Sequence, residues 1–276
     1  MTDFGLRLRM VVVGTILFAF YLAAGTVAAA MLGLPLLPVL ALGILVVPAI
    51  QYKLGKWLAT RKAEEIPEDA TGRYGEVRRM TLELADEMGV PEPTVMRMQM
   101  GVPNAFAVGR KGAGVVVVSE DLVSLLDRDE LEGVLAHELA HIDNRDVITM
   151  VVGQSIGMLV GYAVYFAVLF GGEDNIGSII FAWVASAIAN MLVMVFVLAI
   201  SRYREYVADS DAKDVIGTGD PLARALEKIS RGAERGDSEL DDSMSALCIF
   251  NSERGLLEKV FATHPPVEKR IERLRG

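Results

Sequence analysis

The 276-residue sequence has a single cysteine, Cys248, and only three histidines, His137, His141 and His264. One thiol excludes an intrachain disulfide framework and a thiolate zinc cluster. Histidine this scarce makes the position of each one informative. Basic residues are outnumbered, 27 Lys and Arg against 36 Asp and Glu, for a net charge of −9. That balance argues against a nucleic-acid partner. Charge of either sign is missing from Met10 to Tyr52. Hydrophobic residues make up 52% of the chain and mean hydropathy is +0.38, more apolar than a soluble domain of this length requires, so membrane spans come first.

The uncharged run 10–52 is too long for one span of about 20 residues and long enough for two. Gly33, Pro35 and Pro38 in "GLPLLP" supply the break, giving spans near 10–32 and 36–52. A cleavable signal peptide is the alternative for the first, disfavoured because a second apolar run follows at once. Two further uncharged runs, Val147 to Gly172 and Ile176 to Ser201, flank an acidic turn at Glu173 and Asp174. Gly153, Gly157 and Gly161 form overlapping GxxxG repeats, a spacing suited to close helix packing in a bilayer; a buried helix pair in a soluble bundle would read similarly. Lys and Arg stand before the first span (Arg7, Arg9), after the second (Lys53, Lys56, Arg61, Lys62), before the third (Arg145) and after the fourth (Arg202, Arg204). The inter-span turns carry neither. By the positive-inside rule the termini and polar segments are cytoplasmic.

The expected organisation is therefore two N-terminal transmembrane helices over 1–52, a transmembrane helix pair over 147–201, and a discontinuous cytoplasmic domain from 53–146 and 202–276. In that domain a helix is expected near 68–88. Strand-like runs "TVMRMQM", "NAFAVGR" and "GVVVVS" follow, then an acidic helix start in "DRDELEGVLAHELAHIDN". "GDPLARALEKISRGAERG" reads as a helix with Asp220 as N-cap and Pro221 in its first turn. The stretch 237–262 reads as loop.

His137 and His141 are spaced i, i+4, one turn apart on one helical face, and can aim two ring nitrogens at a single ion. Glu138 lies beside that face, where it can act as general base on a water at the ion. A catalytic zinc usually takes three protein ligands. The metzincin pattern would need glycine at 144 and histidine at 147; the chain has Asn144 and Val147. His264 and a carboxylate remain open. Glu173 and Asp174 fall across the bilayer, so the next acid is Glu205. It stands about five residues past the fourth span, as His141 stands about six before the third. At ~1.5 Å per residue both lie roughly 8–9 Å from their span ends, which puts Glu205 level with the histidines. Asp209, one turn further, is placed to orient His137 from behind. A solvated juxtamembrane charge cluster would use the same residues; the histidine pair favours the ligand set.

"HELAH", "SRYREYVAD", "HPPVEKR" and "PNAFAVGR", in that company of four hydrophobic spans, resemble the HtpX heat-shock membrane metalloproteases, of the gluzincin group that also contains the CAAX prenyl proteases. The resemblance implies a membrane-integral α+β protein: four transmembrane helices with a mainly helical, zincin-like cytoplasmic protease domain and a small β-sheet. It implies one Zn2+ on His137, His141 and Glu205, with Glu138 as catalytic base. His264 and Arg270 would face the cleft and stabilise the tetrahedral intermediate. "NAFAVGR" would be the substrate-binding edge strand, with Asn104, Ala105, Phe106 and Ala107 offering main-chain hydrogen bonds to an extended peptide; an ordinary strand with alternating Phe106 and Val108 is the alternative. The CAAX branch has more spans than the four expected here. The expected function is therefore zinc-dependent endopeptidase action at the cytoplasmic face of the cell membrane, on misfolded or damaged membrane proteins. Cleavage of lipidated or signal-like peptides, and a membrane scaffold with a structural metal, are the alternatives.

Overall fold

The computed structural model describes residues 42–172, 175–235 and 264–276, with isolated positions between 12 and 39. The expected span near 10–32, the turn at Glu173 and Asp174 and the expected loop 237–262 lie largely or wholly outside the described residues. Among those described, the elements are a π-helical turn Leu42–Val46 leading into α1 (Val47–Thr60), β1 (Glu64–Glu65), α2 (Gly72–Glu87), β2 (Thr94–Met98), β3 (Ala105–Val108), β4 (Val115–Ser119), α3 (Glu120–Leu125), α4 (Arg128–Asp143), α5 (Asp146–Gly171), α6 (Ile176–Ile216), α7 (Asp220–Arg235) and α8 (Val267–Arg275). The described chain is thus mostly helical with one small sheet.

Two compact units emerge, one containing Gly55–Val147 and Arg202–Gly276, the other formed by Arg7–Leu54 with Ile148–Ser201. In the first, the sheet runs β1-β2-β4-β3. β2 and β4 are parallel, and β1 and β3 join antiparallel on the outside. The four valines of β4 are all buried, and their period of two divides them between faces. Val116 and Val118 enter a core with Val134 and Leu135 of α4, Val77 of α2 and Leu226 of α7. Val115 and Val117 face the other way, with Phe106, Val108, Met98 and Ala59. β4 is covered on both faces, which explains its continuous apolar run. β3 is left as a sheet edge beside α4.

α4 begins where the acids predict. The Asp127 backbone N–H donates to the Glu130 carboxylate at 2.9 Å, a reciprocal cap at the N-terminus. Lys228 of α7 donates to Glu130 at 2.7 Å and Asp127 at 2.8 Å, fastening α7 along α4. Their backbones come close at Gly133, where an added Cβ would meet the Leu222 nitrogen at 2.9 Å.

Two helices of the described residues, Asp146–Gly171 and Ile176–Ile216, are long and apolar enough to cross a membrane. In the second unit they pack through small residues: a Cβ on Gly157 would lie 2.8 Å from Asn190 Oδ1. Ser155 of α5 donates to Gln51 of α1 at 2.6 Å. The helix that carries the end of the second uncharged run continues to Thr60, because Lys53 and Lys56 end the uncharged run but not helix propensity. Lys56 Nζ donates to the Ala113 carbonyl at 2.7 Å. Likewise α6 continues past Ser201 to Ile216, carrying Arg204, Glu205 and Asp209 on one unbroken helix.

Candidate metal centre

α4 presents His137 and His141, α6 presents Glu205, and the region before α8 presents His264. His137, Glu138 and Glu205 are buried, and His141 is only slightly open. His137 Nε2 and His141 Nε2 are 3.1 Å apart. Glu205 Oε2 is 3.6 Å from His137 Nε2, and Glu205 Oε1 is 3.5 Å from His141 Nε2. Donors about 2.0–2.1 Å from a tetrahedral ion stand about 3.3 Å from one another. The nitrogen pair, and the carboxylate oxygen nearest each ring, stand close to that value, so two imidazoles and one carboxylate are grouped as a divalent ion of the zinc type requires. Glu138 is enclosed beside them, near enough to act electrostatically on both His141 and Arg270.

Behind the donors lie two carboxylates. Asp209 Oδ1 is 3.1 Å from His137 Nδ1. Asp146 Oδ2 is 2.5 Å from His141 Nδ1 and hydrogen-bonded to it. Each carboxylate carries its own guanidinium. Arg270 donates from Nε and Nη2 to Asp209 at 2.9 and 2.7 Å, and its Nη1 is 3.1 Å from Glu205 Oε2. Arg204 Nη1 donates to the Asp146 carbonyl at 2.5 Å, and its Nη2 pairs with the Asp146 carboxylate.

The electrostatics follow from burial and these contacts. Burial works against ionisation of Glu205, but His264, 3.1 Å away, and Arg270 overcome it and hold the carboxyl well below its usual range. Burial is likewise overcome at Asp209, chiefly by Arg270. Burial also opposes charge on His137, yet Asp209 and Glu205 raise it to about 9. At His141 burial prevails, reinforced by the neighbouring His137, and its value falls to about 4. The two rings therefore share one proton across 3.1 Å, and these values belong to the pair. Burial pushes Arg204 down to about 9, against the opposing pull of Glu205.

The structure brings together His137, Glu138, His141, Glu205, Asp209, His264 and Arg270. Arg270 is 1% exposed, with its guanidinium committed to Glu205 and Asp209, because two carboxylates one turn apart on α6 attract the nearest cation. Ala105, Phe106 and Ala107 lie in the edge strand β3, and the Asn104 N–H donates to Ser119 Oγ at 2.9 Å. Asp146 and Arg204 were not expected at the site. The available signal was an aspartate opening an otherwise uncharged helix, five residues after His141.

Residues 72–276 match Peptidase family M48. A protein named Protease HtpX homolog from Halobacterium salinarum is 47% identical over 97% of this chain and 100% of its own length. Another of that name from Methanopyrus kandleri is 41% identical over 72% of this chain and 65% of its own. Among solved structures, Ste24p of S. mikatae superposes with a TM-score of 0.59 at 17% identity, covering 95% of this chain. The chain spans 62% of the Ste24p chain, and at that identity the likeness carries the fold alone.

Proposed function

The chain belongs to peptidase family M48 and is a metalloprotease, and from that premise we propose a zinc endopeptidase centred on His137, His141 and Glu205. The observation that carries the proposal is the convergence of two imidazole nitrogens 3.1 Å apart with the two oxygens of one carboxylate, 3.5 and 3.6 Å from them, with Glu138 buried alongside. Zinc bound there supplies Lewis acidity, polarising a peptide carbonyl and making water easier to deprotonate. Glu138 takes the proton from the attacking water and delivers it to the departing amine. His264, whose Nδ1 lies 3.1 Å from Glu205 Oε1, would stabilise the oxyanion through its other ring nitrogen. Arg270 contributes from beneath, by fixing Glu205 and Asp209. Asp209 orients His137.

Among the described residues β3 is an outer strand of the sheet and runs beside α4, and Asn104, Ala105, Phe106 and Ala107 are the residues we assign to substrate binding. An extended polypeptide adds there by main-chain hydrogen bonds, giving broad sequence tolerance. The protease domain is made of 53–146 and 202–276. The segments 1–52 and 147–201 supply four membrane spans, with termini and active site on the cytoplasmic face. Glu205 lies only four residues beyond Ser201 on the helix that carries the apolar run, which supports a site near the membrane surface. It also supports misfolded or damaged membrane proteins as substrates.

Glu138→Ala is the test. Loss of a positioned general base lowers proteolysis by about 10²–10⁴-fold, while zinc content stays at that of the unsubstituted protein. Cleavage of an unfolded membrane protein at an undiminished rate, with zinc retained, overturns the assignment.

A further inference from the structure

α4 ends at Asp143, and Arg145 adopts the left-handed conformation with φ 56°. That conformation is disfavoured for a residue with a side chain, and glycine is the usual occupant at a helix end. Had α4 simply continued, Asp146 would stand about 140° around the axis and ~7.5 Å along it from His141, with no path to the ring. The turn at Arg145 brings it back, so that Asp146 Oδ2 accepts the Nδ1 proton of His141 at 2.5 Å. The carboxylate is enclosed, 7% exposed, and so is Arg204 at 4%. Arg204 reaches Asp146 twice, donating from Nη1 to its carbonyl and pairing through Nη2 with its carboxylate.

We propose that Asp146 and Arg204 are positioning residues of the metal centre, Asp146 locking the His141 ring with Nε2 toward the ion and Arg204 locking Asp146. The inference rests on the reading of His137, His141 and Glu205 as ligands. Its physical basis is that an imidazole has two alternative donors. Committing the Nδ1 proton to a carboxylate fixes the tautomer, leaves the Nε2 lone pair for metal and removes rotation of the ring. Among the described residues Asp146 is the group hydrogen-bonded to His141 Nδ1, so the lock depends on it. Arg204 closes the chain from α6, the helix that also carries Glu205 one residue later. The position of one ligand and the orientation of another are thereby tied to the same turn of α6.

The test is zinc affinity of the full chain in detergent, measured by competition with a chromophoric chelator and accompanied by the visible spectrum of the cobalt-substituted protein. Asp146→Ala lowers affinity about 10–100-fold and shifts the cobalt bands. Asp146→Asn, which keeps the shape and a neutral acceptor, recovers part of the loss and serves if the alanine variant does not fold. Arg204→Gln gives a smaller loss. Zinc affinity and cobalt spectrum unchanged in folded Asp146→Ala or Asp146→Asn, with only a lower melting temperature, overturn the proposal by reducing the pair to a structural salt bridge. Absence of stoichiometric zinc binding by the unsubstituted protein overturns instead the reading on which it rests.

Discussion

His137 and His141 sit one turn apart on α4, yet the charges behind them come from different distances along the chain. Behind His137 stand Asp209 and Arg270, 72 and 133 residues away in sequence. Behind His141 stands Asp146, five residues on, held by Arg204 of α6. The cations differ more than the carboxylates. Arg270 bridges Asp209 and Glu205, so it serves the orienting group and a proposed ligand at once. Arg204 serves Asp146. One side of the site is therefore coupled to the ion's own charge, and the other only to a ring's orientation.

Removing the two cations separates these roles and carries the largest effect. Arg270→Met leaves Glu205 and Asp209 buried with less compensation; breaking a buried ion pair from one side costs about 3–5 kcal/mol. Saturating zinc recovers much of the loss, because a dication at Glu205 replaces the missing positive charge. Arg204→Met strands Asp146, which touches no proposed ligand atom except through His141 Nδ1, so zinc recovers less. Thermal unfolding of both variants, with zinc and with chelator, reads the difference. Equal recovery in both would break the distinction between the two sides.

Proton occupancy sharpens the comparison at a smaller scale. Without metal, His137 keeps a proton up to about pH 9, above the ordinary value of 6.5. A raised value means the folded state binds the proton more tightly, so that stabilisation is complete below about pH 6.5 and is lost as pH rises through about 9. His141 is depressed to about 4, so its neutral form favours the fold above about 6.5 and that contribution is lost as pH falls toward 4. The metal-free protein is then most stable near pH 6.5. Zinc must displace the His137 proton, so its apparent affinity rises about tenfold per pH unit and levels off above about 9. Chelator competition across that range checks the slope. A flat profile from neutral pH to 9 means His137 was already deprotonated and the shared-proton picture fails.

The same asymmetry explains what could be read from the letters. The His137 side was legible because helices have fixed pitch: apolar runs of matched length bring Glu205 to the histidines, and a further turn gives Asp209. The strands in "TVMRM", "AFAV" and "VVVVS" were legible by their bounded β-branched and alternating runs. β1 has two residues and α3 six, too short for any period to register. Arg270's burial depends on where α8 packs, which no local pattern encodes. Asp146 was hidden for the opposite reason. It lies only five residues past His141, but on one continuous helix Asp146 would point away from that ring. Only the single left-handed residue between them reverses that, and arginine carries no signal for it.

That residue supplies the mildest perturbation. Arg145→Val puts a β-branched side chain at φ 56°, a conformation that costs any L-residue roughly 1–2 kcal/mol and that β-branching disfavours further. The turn then opens part of the time, and the 2.5 Å hydrogen bond between His141 and Asp146 is populated less. Zinc affinity falls by a few-fold, well short of Asp146→Ala, while the His137 side is untouched. Adding Arg145→Val to Asp146→Ala should therefore produce almost no further loss, since the turn acts on the metal only through the carboxylate it presents. Combined with Asp209→Asn, on the other ring, the two losses should add. Additivity with Asp146→Ala, or a sub-additive pairing with Asp209→Asn, would show that the turn works by some route other than Asp146.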